Sequence, residues 1–107
     1  MKPRDLAHPI LLAGALLFCQ AALAHGPVFD CYIEHDDWVK CEAGYTDGSS
    51  AAGRKIHVQD PSNKLLLEGT VDKDNSYTFQ APAGAYSVEF LGGENHGATI
   101  QSSDISK

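Results

Sequence analysis

Residues 28–45, VFDCYIEHDDWVKCEAGY, decide the fold. Two runs of alternating apolar and polar side chains flank His35-Asp36-Asp37, and period-two alternation around a short polar turn is the signature of a β-hairpin. With HDD as the loop, Glu34 pairs with Trp38, and the same register sets Cys31 directly opposite Cys41. Phe29, Cys31, Ile33, Val39, Cys41 and Ala43 then face one way, and Asp30, Tyr32, Glu34, Trp38, Lys40 and Glu42 the other. A non-hydrogen-bonded antiparallel pair brings two cysteines close enough to bridge, so hairpin and disulfide support each other. A pair of thiolate metal ligands is the alternative, which the spacing does not favour over a bridge.

Downstream of the hairpin the same texture continues. TDGSSAAG (46–53) reads as a loop, and RKIHVQD (54–60) as a strand with Ile56 and Val58 on its apolar side and His57 outward. PSN turns the chain into KLLLEGTV (64–71), DKDN turns it into SYTFQA (76–81), and PAG leads into AYSVEFL (85–91). There Tyr86, Val88 and Phe90 alternate with Ser87 and Glu89. GGEN precedes a last strand, HGATIQS (96–102), and SDISK reads as a frayed tail. Seven short strands separated by turn residues, with no amphipathic helical stretch, predict one all-β domain built as a two-sheet sandwich.

Upstream, residues 1–24 have the form of a secretory signal peptide. Lys2 and Arg4 make a basic start, PILLAGALLFCQAALA (9–24) is the apolar stretch, and Ala22 and Ala24 are the small residues a signal peptidase requires. The stretch is too short and too near the cut for a membrane span. Cys19 follows bulky Phe18, which argues against lipidation, and is expected to leave with the leader. The mature chain, 25–107, is then a single domain in an exported, oxidising compartment, where an even pair of cysteines is most simply a disulfide. Removing Lys2, Arg4 and Asp5 takes the formal charge from −6 to −7. That sign repels nucleic acid and is compatible with cation attraction.

A cut after Ala24 makes His25 the first residue. Its α-amine and ring Nδ1 can chelate one ion in a six-membered ring, and both nitrogens shed their protons near neutrality. Ni²⁺, Co²⁺, Cu²⁺ and Zn²⁺ suit such donors. Pro27 has no amide hydrogen, so the backbone cannot go on wrapping the metal, and further ligands must come from elsewhere in the fold. His35, beside Glu34, Asp36 and Asp37, is a possible additional ligand, although Asp and His are ordinary turn residues. Asp30 and Glu42 share one face of the hairpin and offer a carboxylate. Other chemistries find no footing: no helix follows the Gly-rich GGENHG to make a phosphate cradle, and no Ser is spaced to pair with a His base. The chain is not expected to be an enzyme. The copper-dependent oxidative route open to an N-terminal histidine is disfavoured by the short chain and the lack of a broad aromatic surface.

Residues 51–90, AAGRKIHVQDPSNKLLLEGTVDKDNSYTFQAPAGAYSVEF, resemble the carboxypeptidase-regulatory-like, transthyretin-like sandwich. Together with AHGPVFDCYIE (24–34), CEAGYTDGSSAAG (41–53) and GGENHGATI (92–100), the chain is similar to small periplasmic proteins associated with nickel and cobalt uptake transporters. The resemblance spans nearly all of 25–107. It implies a seven-stranded Greek-key β-sandwich of transthyretin-like or immunoglobulin-like build. It also implies a metal pair, His25 with His96 after the late Gly-rich turn, a Ni or Co cargo, and a membrane metal-uptake transporter as partner, with no insertion of the mature chain in the membrane. A copper chaperone, or an interaction module without metal, are the alternatives.

Overall fold

In the computed structural model the described residues are 26–93 and 97–106, so the leader, His25 and His96 lie outside them. Among the described residues there are seven strands and no α-helix: β1 (Pro27–His35), β2 (Trp38–Tyr45), β3 (Lys55–Gln59), β4 (Leu65–Thr70), β5 (Ser76–Gln80), β6 (Ser87–Leu91) and β7 (Gly97–Gln101). They form two antiparallel sheets, ordered β1-β2-β5 and β4-β3-β6-β7. The chain leaves the first sheet after β2, returns for β5 and leaves again for β6. As a result β2 lies beside β5 in one sheet and β3 beside β6 in the other.

The opening hairpin has the expected register from Pro27↔Tyr45 to Ile33↔Val39, with Cys31 opposite Cys41. The two cysteines are joined in a disulfide, Cα atoms 4.0 Å apart. At 4 % and 1 % exposure the bridge is part of the core, out of reach of solvent reductant. The end of the hairpin differs from expectation. His35, not Glu34, pairs with Trp38 across a register shift, and the turn is the pair Asp36-Asp37. Asp36 takes a left-handed φ of 49°, a conformation that short polar side chains tolerate.

Alternation decides which side chains form the core. Val39, Cys41 and Ala43 of β2, Ile56 and Val58 of β3, Phe79 of β5 and Val88 and Phe90 of β6 are all buried. Across the gap between the sheets, Phe29 of β1 stacks on Phe90 of β6 at 5.4 Å, and Phe79 meets Tyr86 edge-on at 6.0 Å. Such pairs add to the burial that drives the sheets together. At the β4–β5 end, a Cβ on Gly69 would run into the Tyr77 ring, whose hydroxyl would lie 2.8 Å away. The glycine is required there because the aromatic ring of the opposite sheet occupies the space a side chain would fill.

The C-terminal segment is not frayed. Residues Ser102–Asp104 make a 3-10 turn, Ile105 enters the core at 9 % exposure, and Ser106 accepts the Ile33 amide at 2.8 Å. It bridges in parallel beside Tyr32. An isolated apolar residue in a polar tail carries no periodicity, which is why the reading from sequence missed it.

Candidate functional site

The start of β1 and the end of β2 meet at one end of the molecule, and the residue that follows His25 is fixed there. Gly26 donates its amide to Thr46 Oγ1 at 2.9 Å, and Thr46 donates its own amide to the Gly26 carbonyl at 2.9 Å. The neighbouring Tyr45 donates its hydroxyl to the Gly92 carbonyl at 2.6 Å, with its ring 6.0 Å from Phe90. Gly92 directly follows β6, and Gly97 opens β7 by pairing with Leu91. Gly93 has a left-handed φ of 111° and lies against the Arg54 guanidinium. Gly26, next to His25, and Gly92, four residues before His96, are therefore fastened at the same end, through two consecutive residues, Tyr45 and Thr46.

Next to this end lies an open cleft of about 480 Å³ lined by Val28, Asp30, Glu42, Gly44, Asp74 and Asn75. Asp30 and Glu42 are direct cross-strand partners, and like charges in that relation repel. Part of the repulsion is relieved by Tyr32, which donates its hydroxyl to Glu42 Oε2 at 3.2 Å. Partial burial, reinforced by the Glu42 carboxylate, pushes the Tyr32 hydroxyl above its ordinary value, so it stays a donor. Asp47 accepts both the amide (2.9 Å) and the hydroxyl (2.6 Å) of Ser49, shaping the loop that borders the cleft. The field of these carboxylates favours cations. Among the described residues no group of three or more His, Cys, Asp or Glu side chains is placed to hold a metal ion. His25 and His96 lie outside the residues to which this applies.

The two histidines among the described residues, His35 and His57, sit elsewhere. His35 is exposed at the far end of β1, eight residues along the strand from Pro27, a span of roughly 27 Å at the rise of an extended chain. It does not converge with Gly26 or Gly92. His57 lies on the outer face of the second sheet with its Nε2 2.8 Å from Glu68 Oε2. That hydrogen bond, helped by the Lys55 ammonium, holds the Glu68 carboxyl below its usual range. Of the residues that organise the candidate end, Tyr45 and Thr46 escaped the reading from sequence. The signal was present: Tyr45 continues the inward parity of Val39, Cys41 and Ala43, and an inward tyrosine at a strand end must give its hydroxyl a partner.

No protein-family model matches the chain, and neither curated proteins nor solved structures match it. Fold and site thus define a class, a seven-stranded all-β domain with one core disulfide and an acidic end that anchors Gly26 and Gly92.

Proposed function

We propose that this chain is an exported metal-binding accessory protein of Greek-key, transthyretin-like build, cut after Ala24. It takes Ni²⁺ or Co²⁺ with the amine and ring of His25, adds the ring of His96, and hands the ion to a membrane uptake transporter in the periplasm. The observation that carries the reading is the double anchor at one end, Gly26 on Thr46 and Gly92 on Tyr45. A ligand at a chain terminus loses affinity to the entropy of ordering it. Two hydrogen bonds at the very next residue reduce that loss. The acidic cleft beside the anchor adds attraction for a divalent ion without supplying a chelate of its own.

Cu²⁺ binds nitrogen donors more tightly than Ni²⁺, so a copper chaperone would use the same residues, and both ions belong in the test. Mass-verified protein beginning at His25 is titrated with each ion beside protein carrying one extra Ala before it. One-to-one binding that weakens at least about tenfold with the added Ala is expected, since the amine is then displaced from the ring. Equal, weak binding by both proteins would leave an interaction module without metal.

A further inference from the structure

After its last strand the chain crosses between the sheets once more. β7 and β1 are edge strands, one of each sheet, and approach each other; the tail that follows β7 spans the gap between them. Its first residue is fixed. Ser102 donates its amide to the Tyr86 carbonyl at 2.8 Å, and its hydroxyl oxygen accepts the Tyr86 amide at 3.1 Å. Beyond Ser102 the hold is slight. Ser103 and Asp104 are exposed, and the Ile105 amide donates to Ser102, within the tail itself, at 3.1 Å. Among the described contacts, one hydrogen bond joins residues 103–106 to the rest of the fold, from the Ile33 amide to the Ser106 carbonyl at 2.8 Å. Ile105 is the tail side chain that enters the core.

The tail shows what this edge binds. β1 has β2 on one side only, so its other side presents backbone donors and acceptors to an added chain. Ser106 takes up one of them, running parallel to β1 beside Tyr32. Next to that edge the core admits a single β-branched side chain, Ile105, at 9 % exposure, while Asp104 before it and Ser106 after it stay exposed. Backbone bonds from an edge strand, with a socket for one side chain, are the means by which a sheet binds an extended peptide. We infer that the β1 edge at Tyr32–Ile33 is a peptide-docking site, and that residues 103–106 are a strap, hinged at Ser102, that fills it in cis. The ligand it takes is an extended segment with Ile or Val between short polar residues, laid parallel to β1. A tethered segment competes at the effective concentration its short link sets, so the strap keeps the site shut until a partner segment binds better. Metal binding plays no part in this.

Two measurements test this on the full chain, expressed with residues 1–24 and recovered as its host processes it. The first is hydrogen exchange of wild type, followed by NMR. The Ile33 amide, bonded to the strap, is expected to exchange at least about tenfold faster than the Val58 amide of β3, a strand paired on both sides. Its rate should stay level in urea below the unfolding transition, because lifting so short a segment exposes little surface. Equal rates with equal urea dependence would make the tail a fixed part of the fold and overturn the strap. The second supplies the segment in trans, as an amidated peptide of residues 101–106. Ile105→Asp, which lifts the strap, is expected to show saturable shifts of the Ile33 amide at a peptide concentration at least about tenfold lower than wild type needs. The same peptide with Asp in place of Ile is expected to give none. Ile105→Ala, which empties the socket without adding a charge, takes over if Ile105→Asp loses the wild-type circular dichroism. A folded variant that ignores the peptide, that answers both peptides alike, or that needs as much peptide as wild type would overturn the inference.

Discussion

Two turns of this molecule have the same local chemistry and different consequences. Asp60-Pro61-Ser62-Asn63-Lys64 joins β3 to β4 within one sheet, and Asp72-Lys73-Asp74-Asn75-Ser76 joins β4 to β5 across the two sheets. In each, the first aspartate's Oδ1 accepts the amides two and four residues on, at 2.8 and 2.9 Å in the first and 2.9 and 3.0 Å in the second. In each, the asparagine has a left-handed φ, 67° and 63°, and donates its amide to the first aspartate's carbonyl. The difference lies in what the apex touches. Asn75 Oδ1 accepts the Ser50 hydroxyl and the Ala51 amide, both at 2.9 Å, its carbonyl accepts the Ala43 amide, and Ser76 is buried. No such long-range bond is made by the Asn63 side chain among the described contacts. Local sequence specifies the turn, and the surroundings decide how much structure hangs on it.

β4 runs from one turn to the other, so substitutions along it sample both surroundings. The largest effect is expected at the second-turn end. Gly69→Ala forces the Tyr77 ring out of its seat and should destabilise the fold by about 3 kcal/mol, the upper part of the overpacking range. Leu66→Ala, on the same strand near the first turn, leaves exposed surface and should change stability by less than about 0.5 kcal/mol. Urea unfolding of the two variants measures the contrast. Equal losses would mean that the Tyr77 contact is not rigid.

At the apices, Asn75→Ala should cost about 2 kcal/mol. It places an alanine in the left-handed region, at about 1 kcal/mol, and leaves the Ala51 amide without its acceptor in a residue that has no exposure. Asn63→Ala meets only the conformational part and should cost about 1 kcal/mol. Glycine separates the two contributions: Asn63→Gly should be near neutral, while Asn75→Gly should retain about half the loss. If both glycine variants were neutral, the bonds to Ser50 and Ala51 would carry nothing, and the two turns would be energetically alike.

The hairpin was legible because three signals coincide there: alternation, a polar turn, and two cysteines symmetric about it. The inward parity of β3 and β6 was legible from alternation alone, since Ile56, Val58, Val88 and Phe90 each alternate with polar neighbours. What stayed hidden was long-range. The sequence DKDN announces a turn but not that Asn75 reaches Ser50 and Ala51. SDISK reads as a tail because what holds it, the bond from Ile33 to Ser106 and the core around Ile105, is far away in the chain. A glycine between Glu68 and Thr70 gives no notice of Tyr77. At the candidate site the histidines could be singled out from their chemistry and position. Tyr45 and Thr46, which fasten their neighbours, depend on which strand ends converge.

Acid offers the finest comparison, because it acts on Asp72 without changing the chain. The Ser76 amide, followed by the Asp74 amide and the Ser76 hydroxyl, holds the Asp72 carboxyl below its usual 3.8, against the opposing effect of partial burial. A carboxyl depressed in the folded state stabilises the fold fully above its unfolded value, and that stabilisation is lost as the pH falls through the folded value. The denaturation midpoint should therefore drop as the pH is lowered below about 4, in the same sense as the Glu68 contribution, which is depressed chiefly by its bond from His57. Asp72→Asn removes the titrating group and should flatten part of that decline, while lowering the midpoint at neutral pH because an amide accepts the backbone bonds less strongly than a carboxylate. Midpoints of both proteins followed from neutral pH into acid give the difference directly. Parallel curves would mean that the Asp72 carboxylate gains nothing over an amide from the second turn, and that Asn75 alone distinguishes it from the first.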